Sequence, residues 1–136
     1  MQMNIPARNW LLMTLFLVFG CSSGEVKPID IHPEDMCSRC RMSVSDQRFA
    51  SEIITEQGEA ITFDDIGCML TYRTAHVELK ISAIYLKDYT TREWIRFEQA
   101  AVVKTSIETP MGSGQVAFSD PVRAQEFQQQ HPPKEG

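Results

Sequence analysis

The sequence predicts an α+β domain with a mainly antiparallel sheet, two helices and two ββα-like units. Strand-like runs occur in groups, and a helical pattern interrupts or follows each group. The predicted order is hairpin, helix, strand, then strand, strand, helix. A length of 136 residues and a hydrophobic fraction of 43% fit a single domain with a substantial core.

The first half of this domain is predicted to be a hairpin followed by a helix. Residues 49–63 alternate loosely between apolar and polar around a polar turn at 56–59, which is typical of a β-hairpin. Asp64 and Asp65 are both interpreted as capping residues of a helix that begins at Ile66. The residues at helical spacing in this helix are Ile66, Met69, Leu70, Arg73 and Val77.

The second half is predicted to consist of strands and a final helix. Strands are predicted at 81–89, 101–105 and 115–118, with a turn at 90–93 before Trp94 and Ile95. A proline and two glycines make 109–114 a loop. The final helix begins at Pro121, and Asp120 precedes it as a capping residue.

The N-terminus has the pattern of an export signal. The apolar run over 10–19 is too short to cross a bilayer, which takes about 20 residues. Gly20-Cys21 resembles the lipobox of bacterial lipoproteins, which implies a lipid anchor at Cys21; an ordinary secretory signal or a buried N-terminal helix is the alternative. The resulting organisation is a signal peptide at 1–20, a flexible tether at 21–34, a folded domain at 35–131 and a polar tail at 132–136.

Charge and targeting together restrict the function classes. The formal net charge of −5 lacks the basic footprint of a nucleic-acid-binding protein. A lipid anchor predicts a location in the cell envelope facing the periplasm, and Ser22 after the anchor favours the outer membrane in a Gram-negative host. Lipidation of Cys21 leaves three other cysteines, an odd number for an oxidising compartment, which indicates a reactive or liganding thiol.

The strongest local motif is Cys37-x-x-Cys40-x-Met42. Two thiols at this spacing can bind one ion, and Met42 adds a thioether from the same loop. Thiolate and thioether ligands together select Cu(I) over harder ions. Met111 lies in a glycine-bracketed loop without apolar neighbours, so it is either a further ligand or a surface packing residue.

Three alternatives remain open from the residues alone. A structural zinc site would use Cys37, Cys40, Cys68 and His76, although the second pair has unusual spacing. A thiol-disulfide redox protein would act through Cys37 and Cys40, and the same two residues could form a plain disulfide. Cys68 by itself is predicted to be a small buried hydrophobic residue, with proximity to the metal loop left open, and Met69 is predicted to be a core residue and Met36 a packing residue.

Four segments in register resemble the NosL family of lipoproteins. They are Cys37-x-x-Cys40-x-Met42, the stretch 61–69, Lys87-Asp88-Tyr89 with Trp94-Ile95, and 109–114 with Ala117-Phe118. The resemblance implies a monomeric Cu(I) chaperone, not an enzyme, with Cys40 and Met42 as ligands, Met111 as the third and Cys37 as the fourth. It also implies that the protein receives copper from an importer. The protein then delivers this copper for assembly of the copper centres of nitrous oxide reductase or of another cuproenzyme.

Overall fold

The computed structural model describes residues 24–134, so the predicted signal peptide at 1–20 and lipid anchor at Cys21 lie outside the described residues. No helix within the described range combines the length and apolar character needed to cross a bilayer. The strands are β1 (Ser51–Thr55), β2 (Ala60–Phe63), β3 (Ile81–Lys87), β4 (Trp94–Arg96), β5 (Ala101–Lys104) and β6 (Gln115–Phe118), and the helices are α1 (Ile66–Ala75) and α2 (Pro121–Gln130).

Two antiparallel sheets form the framework. The larger has the strand order β2-β1-β3-β4, and β5 pairs with β6 in a second sheet. Each helix follows a hairpin, α1 after β1-β2 and α2 after β5-β6, while β3 and β4 extend the first sheet. The predicted α+β class with two ββα-like units is therefore confirmed.

Asp88 joins the two sheets where β3 ends. Its carboxylate accepts hydrogen bonds from the main-chain N–H groups of Thr90 and Thr91 at 2.8 and 3.0 Å. It also accepts the N–H and the hydroxyl of Ser119, both at 2.8 Å. Burial opposes ionisation of Asp88, but these donors outweigh it and hold the pKa of Asp88 below its usual value. The turn that Asp88 closes explains why β3 ends at Lys87 and not at the predicted residue 89.

The core of the larger sheet packs against α1. Ile66, Cys68 and Met69 face Ile53 and Leu86 in this core, and all five are buried. Met69 is therefore a packing residue, as predicted. Val77 was predicted to lie in this helix, but α1 ends at Ala75 and Val77 is 85% exposed.

The helix termini follow their capping residues. Asp65 caps α1 by accepting the N–H of Gly67, and Asp120 caps α2 by accepting the N–H of Val122, with Pro121 in the first turn. Asp64 does not cap α1, contrary to the sequence-based interpretation. Its side chain points instead toward the cysteines described below.

The segment preceding the predicted domain packs on the outer face of the larger sheet. The N–H of Ile29 donates to both carboxylate oxygens of Glu52 at 3.2 and 3.1 Å, and the Tyr85 hydroxyl donates to the carbonyl of Val26. Ile31 is buried. The predicted flexible tether over 21–34 is thus too long at its C-terminal end, because residues 26–31 belong to the folded body; we call them the strap.

Candidate metal centre

Residues 36–43 form a tight loop, the Cys loop, that docks on β2. Within it the N–H of Cys37 donates to the carbonyl of Met42 at 2.8 Å, and the N–H of Arg41 donates to the carbonyl of Cys37 at 3.0 Å. The N–H of Ser38 donates to the carbonyl of Thr62 at 2.9 Å. This contact near the end of β2 places the two thiols of the Cys-x-x-Cys motif beside the start of α1.

Four side chains converge at this corner. The sulfur atoms of Cys37, Cys40 and Cys68 and a carboxylate oxygen of Asp64 all lie within 4.8 Å of one another; we call these four residues the thiol cluster. Asp64 directly follows β2, and Cys68 lies in the first turn of α1. The Cys40 thiol donates to the two Asp64 oxygens at distances of 3.3 and 3.4 Å.

The thiol cluster is mostly shielded from solvent. Cys37, Cys68 and Asp64 are buried, and Cys40 is the partly exposed member. Ligands of a tetrahedral ion with metal–sulfur bonds of about 2.3 Å lie about 3.8 Å apart. A modest contraction of the cluster would therefore bring its atoms to bonding distance from one ion.

The three cysteines are free thiols, so the plain disulfide between Cys37 and Cys40 is not formed. Burial raises the pKa of the Cys40 thiol, and its hydrogen bonds with Cys37 and Asp64 add to that increase. Burial also raises the pKa of the Cys68 thiol, although the Arg39 guanidinium opposes this from 3.8 Å. The raised pKa values favour the protonated form of both thiols, and a metal ion bound to them would have to replace those protons.

Three methionines on loops adjoining this corner are exposed to solvent. Met36 and Met42 of the Cys loop are 49% and 52% exposed, and Met111 is 42% exposed. Large apolar side chains are usually buried. Six of them are exposed among residues 24–134, and three of these six are methionines. The prediction that Met36 is a packing residue is wrong, because about half of Met36 is exposed to solvent.

Met111 is fixed at the start of α1 by Asp65. One carboxylate oxygen of Asp65 accepts the Gly67 N–H at 2.7 Å. The other accepts the Thr109 hydroxyl at 2.6 Å and the Met111 N–H at 3.0 Å. The loop over 109–114, here called the Met loop, is therefore attached to the residue that separates Asp64 from α1.

The alternative zinc set is assembled only in part, because Cys37, Cys40 and Cys68 come together without His76. His76 ends α1, where its Nδ1 lies 2.8 Å from the carbonyl of Tyr72 and its ring stacks on the Tyr72 ring. Asp64 is the fourth member of the cluster instead. The structure thus brings together Cys37 and Cys40 as expected, adds Cys68 and Asp64, and places Met42 and Met111 on the adjoining surface loops.

The sequence contains a signal that Asp64 and Cys68 are neighbours in space, which hydrophobic periodicity does not show. A helix that starts directly after a strand turns the side chain of its third residue back toward the residues preceding the helix. With Asp65 as the cap, Cys68 occupies that third position. A carboxylate just before a cap and a thiol three residues after the cap are therefore neighbours in space.

Comparison with known proteins identifies the family of this chain. A family model described as NosL matches residues 28–134. Comparison with curated proteins gives no match. Among solved structures, the fold is similar to that titled "Crystal structure of the copper chaperone NosL from Shewanella denitrificans", with a TM-score of 0.70 and 19% identity over 80% of this chain and 90% of that chain. Because the family model spans most of the sequence, the chain belongs to the NosL family.

Proposed function

We propose that this protein is a Cu(I)-binding chaperone that receives copper in the cell envelope and passes it to an acceptor enzyme. The observation that carries the proposal is the junction of buried thiols and exposed methionines at one corner of the domain. Membership of the NosL family and the copper-chaperone title of the similar structure support the same choice.

The donor atoms suit monovalent copper. Thiolates and thioethers are soft ligands that favour Cu(I), whereas zinc sites rarely use methionine. We assign Cys40, Met42 and Met111 as the principal ligands and Cys37 as a further ligand. Cys40 is the only partly exposed thiol of the cluster, so it is the member that copper entering from solvent reaches first.

The exposure of the methionines suits delivery. A ligand that is about half exposed can be replaced by a donor atom of an acceptor while the remaining ligands still hold the ion. Copper is therefore cargo that moves by ligand exchange. An ion enclosed by four buried donors would be stored and released slowly.

A thiol-disulfide enzyme is the second candidate, and two observations disfavour it. Redox cysteines have a lowered pKa, whereas burial raises the pKa of Cys40, the more accessible thiol of the motif. The pair also lies on a loop that docks on β2 and not at the start of a helix. Methionines have no role in that chemistry.

The biological setting is part of the proposal. We place a lipid anchor at Cys21, after a signal peptide at 1–20, so that the domain works as a monomer on the periplasmic side of a membrane. The copper source is an importer, and the acceptor is nitrous oxide reductase lacking its copper or another cuproenzyme. A Cys21→Ala variant is expected to leave the membrane fraction; its retention there would contradict the anchor.

The copper assignment is tested by competition with a chromogenic Cu(I) chelator. The full-length protein in detergent is titrated under reducing conditions and compared with Met42→Ala and Met111→Ala. Each substitution is expected to weaken Cu(I) binding, while Met36→Ala, which removes an equally exposed methionine, is expected to match the parent. Unchanged affinity in both Met42→Ala and Met111→Ala would refute the assignment.

A further inference from the structure

We infer that Asp65 is the positioning residue that holds Met111 beside the thiol cluster and so prepares the copper site before the ion arrives. This inference rests on the proposed function, because it assigns a role within the same site. Asp65 touches no reacting atom in this scheme. It acts through the Met loop.

The two oxygens of the Asp65 carboxylate have separate tasks. Oδ1 accepts the N–H of Gly67 and caps α1, while Oδ2 accepts the Thr109 hydroxyl and the Met111 N–H. The side chain is completely buried. A single cap would need only the first contact, so the other two are in excess of what α1 requires.

The same residue also fixes the turn that carries Cys68. The main-chain carbonyl of Asp65 accepts the N–H groups of Cys68 and Met69 at 3.0 and 3.2 Å. Asp64, a member of the thiol cluster, is its neighbour in the chain. Asp65 is therefore hydrogen-bonded to the Met loop through its side chain and to the first turn of α1, which carries Cys68, through its main-chain carbonyl.

Close packing reinforces these hydrogen bonds. A Cβ atom added to Gly67 would lie only 2.6 Å from the Cβ of Ser113, so the Met loop rests directly on the first turn of α1. Within the loop, the Thr109 hydroxyl oxygen accepts the N–H of Gly114 at 3.2 Å. The loop is thus closed on itself and seated on the helix without space for a methyl group.

The consequence is preorganisation of the thioether. A ligand already held in place loses less conformational entropy on binding than one on a free loop. In Asp65→Asn, the amide oxygen can still cap Gly67, but its NH₂ group faces the N–H of Met111 and cannot accept it. We therefore expect Asp65→Asn to weaken Cu(I) binding about tenfold, at the lower end of the usual effect of outer-shell substitutions.

The experiment is a double-mutant cycle on the full-length protein in detergent, using Cu(I) and a chromogenic chelator. Asp65→Asn is measured in the parent and in a Met111→Ala background. The expected result is a tenfold loss in the parent and no further loss in the Met111→Ala background. A loss of equal size in both backgrounds would overturn the inference, because it would show that the carboxylate acts through its charge or through folding.

Asp120→Asn is the matched control. Asp120 caps α2 with the same geometry, but its hydrogen bond to the Val122 N–H holds no loop. It is expected to leave Cu(I) affinity unchanged. Gly67→Ala is the second perturbation: it keeps the carboxylate and displaces the loop by steric overlap, so it is also expected to weaken Cu(I) binding, and parental affinity in it would count against the inference.

A measurement without copper separates this inference from the proposed function. Hydrogen exchange of the Met111 amide, followed by NMR, is expected to accelerate in Asp65→Asn and to stay at the parental rate in Asp120→Asn. Unchanged exchange in Asp65→Asn would refute the positioning role even if copper binds as proposed. Faster exchange in a protein that does not bind Cu(I) would instead refute the proposed function.

Discussion

Glu52 makes the stability of this protein depend on pH near neutrality. The side chain lies in β1 beneath the strap, fully buried, and its hydrogen-bond donor is the main-chain N–H of Ile29. Burial raises the pKa of Glu52 from 4.5 to about 7, although the Ile29 N–H and the positive charge of Lys87 oppose the change. The negative charge of Asp30 adds to the increase.

The sign and size of the effect follow from this pKa. Between pH 4.5 and 7 the folded protein binds a proton at Glu52 that the unfolded chain releases, so the free energy of unfolding falls as pH rises through this window. Each pH unit between the two pKa values corresponds to about 1.4 kcal/mol, which gives a total of about 3 kcal/mol above pH 7. That is a substantial part of the stability of a typical domain, about 5–15 kcal/mol.

The assay is urea unfolding followed by circular dichroism between about pH 5 and pH 8, on the parent and on Glu52→Gln. The glutamine variant keeps an oxygen for the Ile29 N–H and cannot ionise, so relative to the parent it is expected to gain about 3 kcal/mol between the two pH values. Every other side chain is the same in both proteins, so the difference between them reports on Glu52. Parallel pH profiles for the two proteins would refute the reasoning.

Four further substitutions test the fold by urea unfolding. Gly114→Ala is expected to cost more than about 2 kcal/mol, because Gly114 has φ +66° and an added Cβ would lie 2.4 Å from the Thr105 carbonyl oxygen; Gly58→Ala, with positive φ but open space, is expected to cost about 1 kcal/mol. Equal costs would contradict the steric argument. Met69→Ala is expected to cost about 3 kcal/mol by leaving a cavity under α1. Asp88→Ala is expected to cost about 2 kcal/mol because it removes four hydrogen bonds to a buried carboxylate, and a loss below about 0.5 kcal/mol would refute its role in joining the sheets.

The elements of the fold were predictable because their signals are local. Asp65 and Asp120 cap helices within two residues of themselves, and Pro121 fits only the first turn of α2. The loop at 109–114 needs residues that tolerate positive φ, and Gly112 and Gly114 supply them. Such features need no knowledge of distant parts of the chain.

The full donor set was not predictable in the same way. Cys40 and Asp64 are 24 residues apart, and they meet because the Ser38 N–H docks the Cys loop on the Thr62 carbonyl. Cys68 looks like an ordinary buried residue until that docking is known. Its burial was predicted correctly, and its place beside Cys37 and Cys40 was foreseen only in the alternative zinc set, whereas Asp64 was not foreseen at all.

The strap escaped prediction for a related physical reason. Residues 26–31 hold only isolated aliphatic side chains between Lys27, Pro28 and Asp30, so they resemble a linker, and a glutamate in β1 suggests a solvent-facing position. The two features explain each other in the structure, because Glu52 binds the main chain of the strap and the strap in turn covers Glu52. Polarity patterns record side chains and miss contacts made by the backbone.

X-ray absorption at the copper K-edge of the full-length protein loaded with one equivalent of Cu(I) tests the central claim most directly. The account predicts a Cu(I) edge and a first shell of sulfur atoms, with fewer sulfur atoms in Cys40→Ala and in Met111→Ala. A first shell made of nitrogen and oxygen atoms, or a spectrum that neither substitution changes, would contradict copper binding by Cys40, Met42 and Met111.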